Sequence, residues 1–193
     1  YAYIPDCSDL PVEEDTDYVY ICENETIHGT TWQKLPDTKG KPLVSDQSSM
    51  FLSKPCNVSD YGMIYAGVQK NVGPAGMVIA IIREDLIRED IDPKTPIYMM
   101  YKTHADAGSM YNTPNCWAIY VCCKVFKYLK SLVGLTAMQR INEEKAKVMY
   151  DFLDSSKMFR GAVDPEFRSL MNIPFVTGDK DLDAEVVAYT KAA

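Results

Sequence analysis

The residue with the most distinctive chemical surroundings is Lys70, in Tyr65-Ala66-Gly67-Val68-Gln69-Lys70-Asn71-Val72-Gly73-Pro74-Ala75-Gly76, a Gly/Pro-rich turn between two apolar runs. A lysine in a turn is ordinarily a solvated loop residue. Here the flanking runs are apolar and the glycines let backbone approach a flat ligand closely. A partly desolvated amine has its ammonium form disfavoured, so the side chain can act as a nucleophile. A second group lies 24 positions upstream: Asp46, which ends the run Pro42-Leu43-Val44-Ser45 and precedes Gln47-Ser48-Ser49. Alone, Asp46 fits equally well as the cap of the next turn. The carboxyl ends of strands are nonetheless where ligands bind in open α/β sheets. An amine able to form a Schiff base and a carboxylate able to keep a ring nitrogen protonated together fit pyridoxal 5'-phosphate, whose charged ring serves as an electron sink.

The elements that must position this pair divide the chain in two. The first part alternates short β-rich runs with turn signals, and strands are expected at Tyr18 to Cys22, Pro42 to Ser45, Tyr61 to Ala66 and Gly76 to Arg83. Uninterrupted apolar runs suit strands covered on both faces, as in an α/β protein. The stretch Met77 to Ile82 is expected to be core. Connections between the first three strands are short for right-handed βαβ crossovers, so some helices must shrink to single turns. The second part is helical in pattern. Asn115 to Leu132 places apolar residues at 118, 119, 121, 122, 125, 126 and 129, a stripe of helical period after the capping pair Thr113-Pro114. A second helix follows from Gly134 to about Ser156 with Leu135, Met138, Ile141, Val148 and Phe152 in register. Its length suits a spacer, so residues 1–133 are assigned to a large domain and 134–193 to a smaller one. Asn172 to Val176 is expected as a strand and Asp181 to Ala193 as an amphipathic helix.

Composition narrows the function classes. The chain of 193 residues is 47% apolar and 24% charged, ordinary for a globular domain, which excludes a disordered tail or a disulfide scaffold. With 20 basic against 27 acidic residues the net charge is −7, so no basic face for nucleic acid is expected. No apolar run approaches the roughly 20 residues of a membrane span, and the acidic, Pro-containing start is not a secretory signal. Six cysteines at 7, 22, 56, 116, 122 and 123 lack a pairing rhythm and a CxxC, so they are taken as reduced thiols of a cytoplasmic protein. With only His28 and His104, no metal site is expected. The start without Met and a last helix without a C-cap suggest a portion of a longer chain.

Five segments, in order, carry a family resemblance: Asn24-Glu25-Thr26-Ile27-His28-Gly29; Asp46-Gln47-Ser48-Ser49; the run from Ala66 to Gly76; Met110-Tyr111-Asn112-Thr113-Pro114; and Arg168-Ser169-Leu170-Met171-Asn172-Ile173-Pro174-Phe175. Together the sequence resembles the phosphoserine aminotransferases, pyridoxal-phosphate enzymes of fold type I, over essentially its whole length. The resemblance implies part of the large-domain, mainly parallel sheet with helices, plus part of a smaller α+β C-terminal domain. It implies transamination of 3-phosphooxypyruvate with L-glutamate to O-phospho-L-serine and 2-oxoglutarate. Lys70 would carry the cofactor as a Schiff base and shuttle the substrate proton, and Asp46 would hold the ring nitrogen. Thr26, Ser48 and Gln69 would contact the cofactor. Asn112 and Thr113 would reach across a two-fold axis to the partner's cofactor, which implies a homodimer.

The departures from the family are absences. Its glycine-rich phosphate-binding turn and ring-stacking aromatic would precede Tyr1, and its substrate-binding His-Arg segment and later arginine would follow Ala193. Of the five arginines at 83, 88, 140, 160 and 168, only Arg168 matches a family position, and a structural role is favoured for it. His104 is expected in a loop near the dimer interface and His28 in a turn. Two alternatives stay open. Another fold-type I enzyme, such as a cysteine desulfurase or a serine–pyruvate-type aminotransferase, would use the same lysine; a desulfurase would need a mobile cysteine, with Cys56 and Cys116 the candidates. The 193-residue piece could also be a stable but inactive fragment.

Overall fold

The computed structural model describes residues 2–192. Its elements are β1 (Val19–Cys22), β2 (Leu43–Asp46), β3 (Met63–Gly67), β4 (Val78–Ile82), α1 (Tyr101–Asp106), α2 (Cys116–Ser131), α3 (Leu135–Ser155), β5 (Arg160–Gly161), β6 (Phe175–Val176) and α4 (Lys180–Ala192). Strands β1 to β4 form one sheet in sequential order. The pairs β1–β2 and β2–β3 are parallel, and β4 returns antiparallel on β3. The architecture is α/β, as the sequence pattern predicts. The parallel connections 23–42 and 47–62 hold turns and a single 3-10 turn, Val58–Asp60, in place of crossover helices.

Strand alternation divides the sheet into unlike faces. Ile21, Leu43, Ser45, Ile64 and Ala66 are buried on one face, where Phe51, Tyr61, Val68, Val72 and Cys122 of α2 complete the core. The opposite face carries Tyr20, Cys22, Asp46 and Tyr65, exposed or half-buried. Expected cover on both faces therefore holds for one face among the described residues. The Met77 to Ile82 run is likewise not buried throughout. Met77 and Ile79 pack on the core, whereas Val78 and Ile81 are exposed, because among the described residues β4 is an edge strand paired with β3 alone.

Helix α2 is capped by Asn115, whose side-chain oxygen accepts from Ala118 N–H at 3.1 Å, rather than by Thr113-Pro114. Ala118, Cys122 and Leu129 are its buried stripe, while Ile119 is exposed. In α3 the buried positions are Asn142, Ala146 and Leu153, and Val148 and Phe152 face outward. Hydropathy hides that stripe because its first member is an amide: Asn142 Nδ2 donates to the Ser53 carbonyl at 3.0 Å, which gives it a partner in the interior. The expected strand at Asn172 to Val176 contracts to β6, paired with β5.

Residues 160–176 are fastened to the sheet end by polar contacts. Asn24 Nδ2 donates to Ser49 Oγ and to Asn172 Oδ1, each at 2.7 Å, and Ser169 Oγ donates to Asn24 Oδ1 at 2.5 Å. Arg168 is bidentate on Asp154 of α3 at 2.7 and 2.6 Å and stacks 4.5 Å over the Tyr150 ring, which fits its structural assignment. His104 lies in helix α1 rather than a loop. Its Nε2 is 2.7 Å from the Tyr98 carbonyl oxygen.

Candidate active site

The parallel strands β1, β2 and β3 end together, and each runs directly into a turn. After β1 comes the turn holding Thr26, closed by Gly29 N–H on the Glu25 carbonyl at 2.8 Å. Gly29 has φ 74°, and a Cβ there would collide with Pro174, so both the turn and its packing require glycine. After β2, Ser48 N–H donates to Asp46 Oδ1 at 2.8 Å, and Phe51 N–H returns to the Gln47 carbonyl at 2.7 Å. The aspartate does cap the following turn, yet its half-buried carboxylate stays on the open face. After β3, Val72 and Gly73 N–H both return to the Val68 carbonyl, which makes residues 68–73 a tight helical turn carrying Lys70. Gly73 lets this turn lie against α2, since a Cβ there would sit 2.5 Å from Cys122 Sγ.

Two cross-links hold the Asp46 turn against the Lys70 turn. Gly67 N–H donates to Ser48 Oγ at 2.9 Å, and Asn71 Nδ2 donates to the Phe51 carbonyl at 2.8 Å. Phe51, Val68 and Val72 fill the space beneath them as core. Asp46 itself pairs in register with Cys22 on β1 and Tyr65 on β3. Asp46, Ser48, Gln69 and Lys70 thus belong to one cross-linked assembly at the carboxyl end of the sheet, and the Thr26 turn adjoins it at the end of β1.

The electrostatics centre on Asp46. Burial, then the hydrogen-bonded Tyr20 hydroxyl and the neighbouring Asp46 carboxylate, pushes the Tyr65 hydroxyl above its ordinary range, and its oxygen lies 3.2 Å from Tyr20 Oη. The Cys22 thiol is pushed up by burial first and by the Asp46 charge second. Lys70 and Gln69 are exposed, so the desolvated lysine expected from the flanking strands is not seen in this chain. The apolar runs on either side bury the turn's valines and leave its polar side chains outside. Asn112 and Thr113 are also exposed, in the segment that leads into α2.

The donor set suits a flat phosphorylated aldehyde of pyridine. It offers one primary amine, one carboxylate open to a ring nitrogen, and the hydroxyls and amide of Thr26, Ser48 and Gln69 for anionic oxygens. Sequence reasoning missed Glu23, buried behind Asp46, and the hydroxyls of Tyr65 and Tyr20 beside it. Period-two placement of polar residues at 45 and 47, opposite an acid at the end of β1, is the signal that could have exposed the first. No group of three His, Cys, Asp or Glu residues among those described is arranged to hold a metal.

This fold and site define a class. The profile of the aminotransferase class-V family matches residues 5–193, and the chain belongs to that family. Among curated proteins it is similar to the phosphoserine aminotransferase of Lysinibacillus sphaericus, with 47% identity over 194 residues, 100% of this chain and 53% of the relative. The phosphoserine aminotransferase of Streptococcus agalactiae is 44% identical over 188 residues, 97% of this chain and 51% of the relative. Among solved structures, the pyridoxal-phosphate-bound phosphoserine aminotransferase of Trichomonas vaginalis superposes with a TM-score of 0.86 at 41% identity, covering 93% of this chain and 51% of that one. The chain therefore spans about half the length of the curated relatives it matches.

Proposed function

We propose that the protein containing this chain is a pyridoxal-phosphate-dependent phosphoserine aminotransferase, interconverting 3-phosphooxypyruvate plus L-glutamate with O-phospho-L-serine plus 2-oxoglutarate in serine biosynthesis. The observation that carries this reading is the cross-linked pair of turns bearing Asp46 and Lys70, in a chain 47% identical along its length to a protein of that name. When bound, pyridoxal phosphate supplies the electron sink for charge at the substrate α-carbon. Lys70 Nζ would hold the cofactor through its aldehyde carbon and would serve as general base and acid for the proton at the substrate α-carbon. The Asp46 carboxylate keeps the ring nitrogen protonated, with Ser48 N–H fixing one of its oxygens. Thr26, Ser48 and Gln69 orient the cofactor.

Residues 1–133 serve as part of the large cofactor-binding domain and 134–193 as part of the small one. The working form is a cytoplasmic homodimer in which Asn112 and Thr113 of each subunit reach the partner's cofactor phosphate. Their exposure supports that role, as do the exposed aromatic rings of Trp117 and Tyr120 on the neighbouring turn of α2. The open face above Asp46 and the exposed Lys70 are covered, in this reading, by segments corresponding to the additional length of the relatives.

The reading is tested by assaying the intact protein for 2-oxoglutarate-dependent consumption of phosphoserine, followed by borohydride reduction and peptide mapping. Turnover with the cofactor mass on Lys70 is expected. Sulfide release from cysteine without phosphoserine turnover would identify the desulfurase alternative instead. Titration of pyridoxal phosphate into the 193-residue chain, compared with the intact protein, distinguishes an active half from an inactive fragment.

A further inference from the structure

We infer that Glu23 is a positioning residue for Asp46, an assignment that rests on Asp46 being the partner of the cofactor ring nitrogen. Glu23 is only 3% exposed. Its Oε2 accepts from Ser45 Oγ at 2.9 Å, from Gln47 Nε2 at 2.8 Å and from Tyr61 Oη at 3.0 Å. Ser45 and Gln47 are the two chain neighbours of Asp46. Alternation sends both of them to the buried face while Asp46 stands on the open one. One buried carboxylate thus grips the strand on both sides of the residue whose aim matters.

The backbone completes the clamp. Glu23 N–H donates to the Asp46 carbonyl at 3.0 Å, and Gln47 N–H donates to the Tyr65 carbonyl at 2.9 Å. Any twist of β2 that swung the Asp46 carboxylate would pull Ser45 and Gln47 off Glu23. Three hydrogen bonds converging on one acceptor oxygen in the interior resist that movement together. Burying a carboxyl group is costly unless it is hydrogen-bonded, and three donors meet its Oε2 here. Burial and the Glu23 charge hold the Tyr61 hydroxyl far above its ordinary range, so it stays a donor at every working pH. An amide at position 23 would bring its own N–H donors against Gln47 and offer a weaker acceptor.

The test uses the intact protein loaded with pyridoxal phosphate. Its readouts are the pH midpoint of the visible cofactor band, the cofactor dissociation constant and the melting temperature, for Glu23→Gln, Ser45→Ala, Gln47→Ala and the reference variant Asp46→Asn. Glu23→Gln is expected to move the midpoint in the same direction as Asp46→Asn but less far, and to weaken cofactor binding about three- to tenfold. Ser45→Ala and Gln47→Ala, which keep Glu23 and remove one donor each, should produce smaller shifts of the same sign. Wild-type midpoints and affinities in folded Glu23→Gln, with only a lowered melting temperature, would overturn the assignment. Should Glu23→Gln fail to fold, wild-type midpoints in both alanine variants would overturn it equally. A reference Asp46→Asn that leaves the midpoint unmoved would refute the reading of Asp46 itself, and the role of Glu23 with it.

Discussion

The two faces of the four-stranded sheet each carry a carboxylate at the end of a parallel strand, and the two are treated oppositely. Glu23, on the closed face, receives three side-chain hydrogen bonds on a single oxygen and is almost wholly buried. Asp46, on the open face, has one oxygen occupied by Ser48 N–H and is only half-buried between Cys22 and Tyr65. The first acid has one oxygen held by three donors of its own chain; the second has one oxygen held by a single backbone N–H and stands on the open face. Neighbouring strands of period two make this separation automatic, since a shift of one residue moves a side chain from core to site.

The sharpest way to break the comparison is to remove the open-face chemistry. In the intact protein, Lys70→Ala should lower transamination by at least about a thousandfold, since both the nucleophile and the proton carrier are lost. Asp46→Asn should lower it by about a hundredfold, the scale of losing one preorganised electrostatic partner. Steady-state turnover measures both, with folding checked by circular dichroism. If the face assignment holds, neither variant unfolds the protein.

Closed-face substitutions in the 193-residue chain should instead act on stability. Ile64, 1% exposed, should cost about 2–5 kcal/mol as Ile64→Ala. Val78, 61% exposed on the edge strand, should change stability by no more than about 0.5 kcal/mol as Val78→Ala. Urea titration of both variants reads the contrast. Equal losses would mean that the two positions share one environment.

Smaller effects sharpen the boundary between the sheet and the helical part. Asn142→Ala removes the donor to the Ser53 carbonyl and should cost about 1–3 kcal/mol in the same titration. The weakest effect concerns acid. Arg168 holds the Asp154 carboxyl below its ordinary value of 3.8, mainly by hydrogen bonding. A carboxyl lowered by folding stabilises above its unfolded value and loses that contribution as the pH falls through the folded one. Asp154→Asn should therefore flatten the stability profile below about pH 4 and leave its slope near neutrality unchanged. Melting temperature against pH measures it, and an unaltered acid limb would remove Arg168–Asp154 from the account.

Much of this was legible in the residues. Gly/Pro-rich punctuation and apolar runs located all four strands of the sheet to within a few residues, because those signals are local. That the Asp46 and Lys70 turns follow the ends of neighbouring parallel strands was legible through the order of the segments and the apolar runs before each. Burial was harder to read. Val78 and Ile81 have the composition of core residues, but whether a strand is central or an edge depends on partners that hydropathy does not encode. Asn142 and Glu23 failed in the other direction, since polar residues enter the interior when a distant donor or acceptor is waiting, and that partner is fixed only by the tertiary fold. His104 was missed because α1 is a helix of six residues, too short to show a periodic stripe.

The central claim concerns two side chains acting on one molecule, and a crystal structure of the intact protein grown with pyridoxal phosphate measures it directly. Continuous density from Lys70 Nζ to the cofactor, with an Asp46 carboxylate oxygen within hydrogen-bond distance of the ring nitrogen, is the predicted result. Attachment through another lysine, or a ring nitrogen facing away from Asp46, would contradict it.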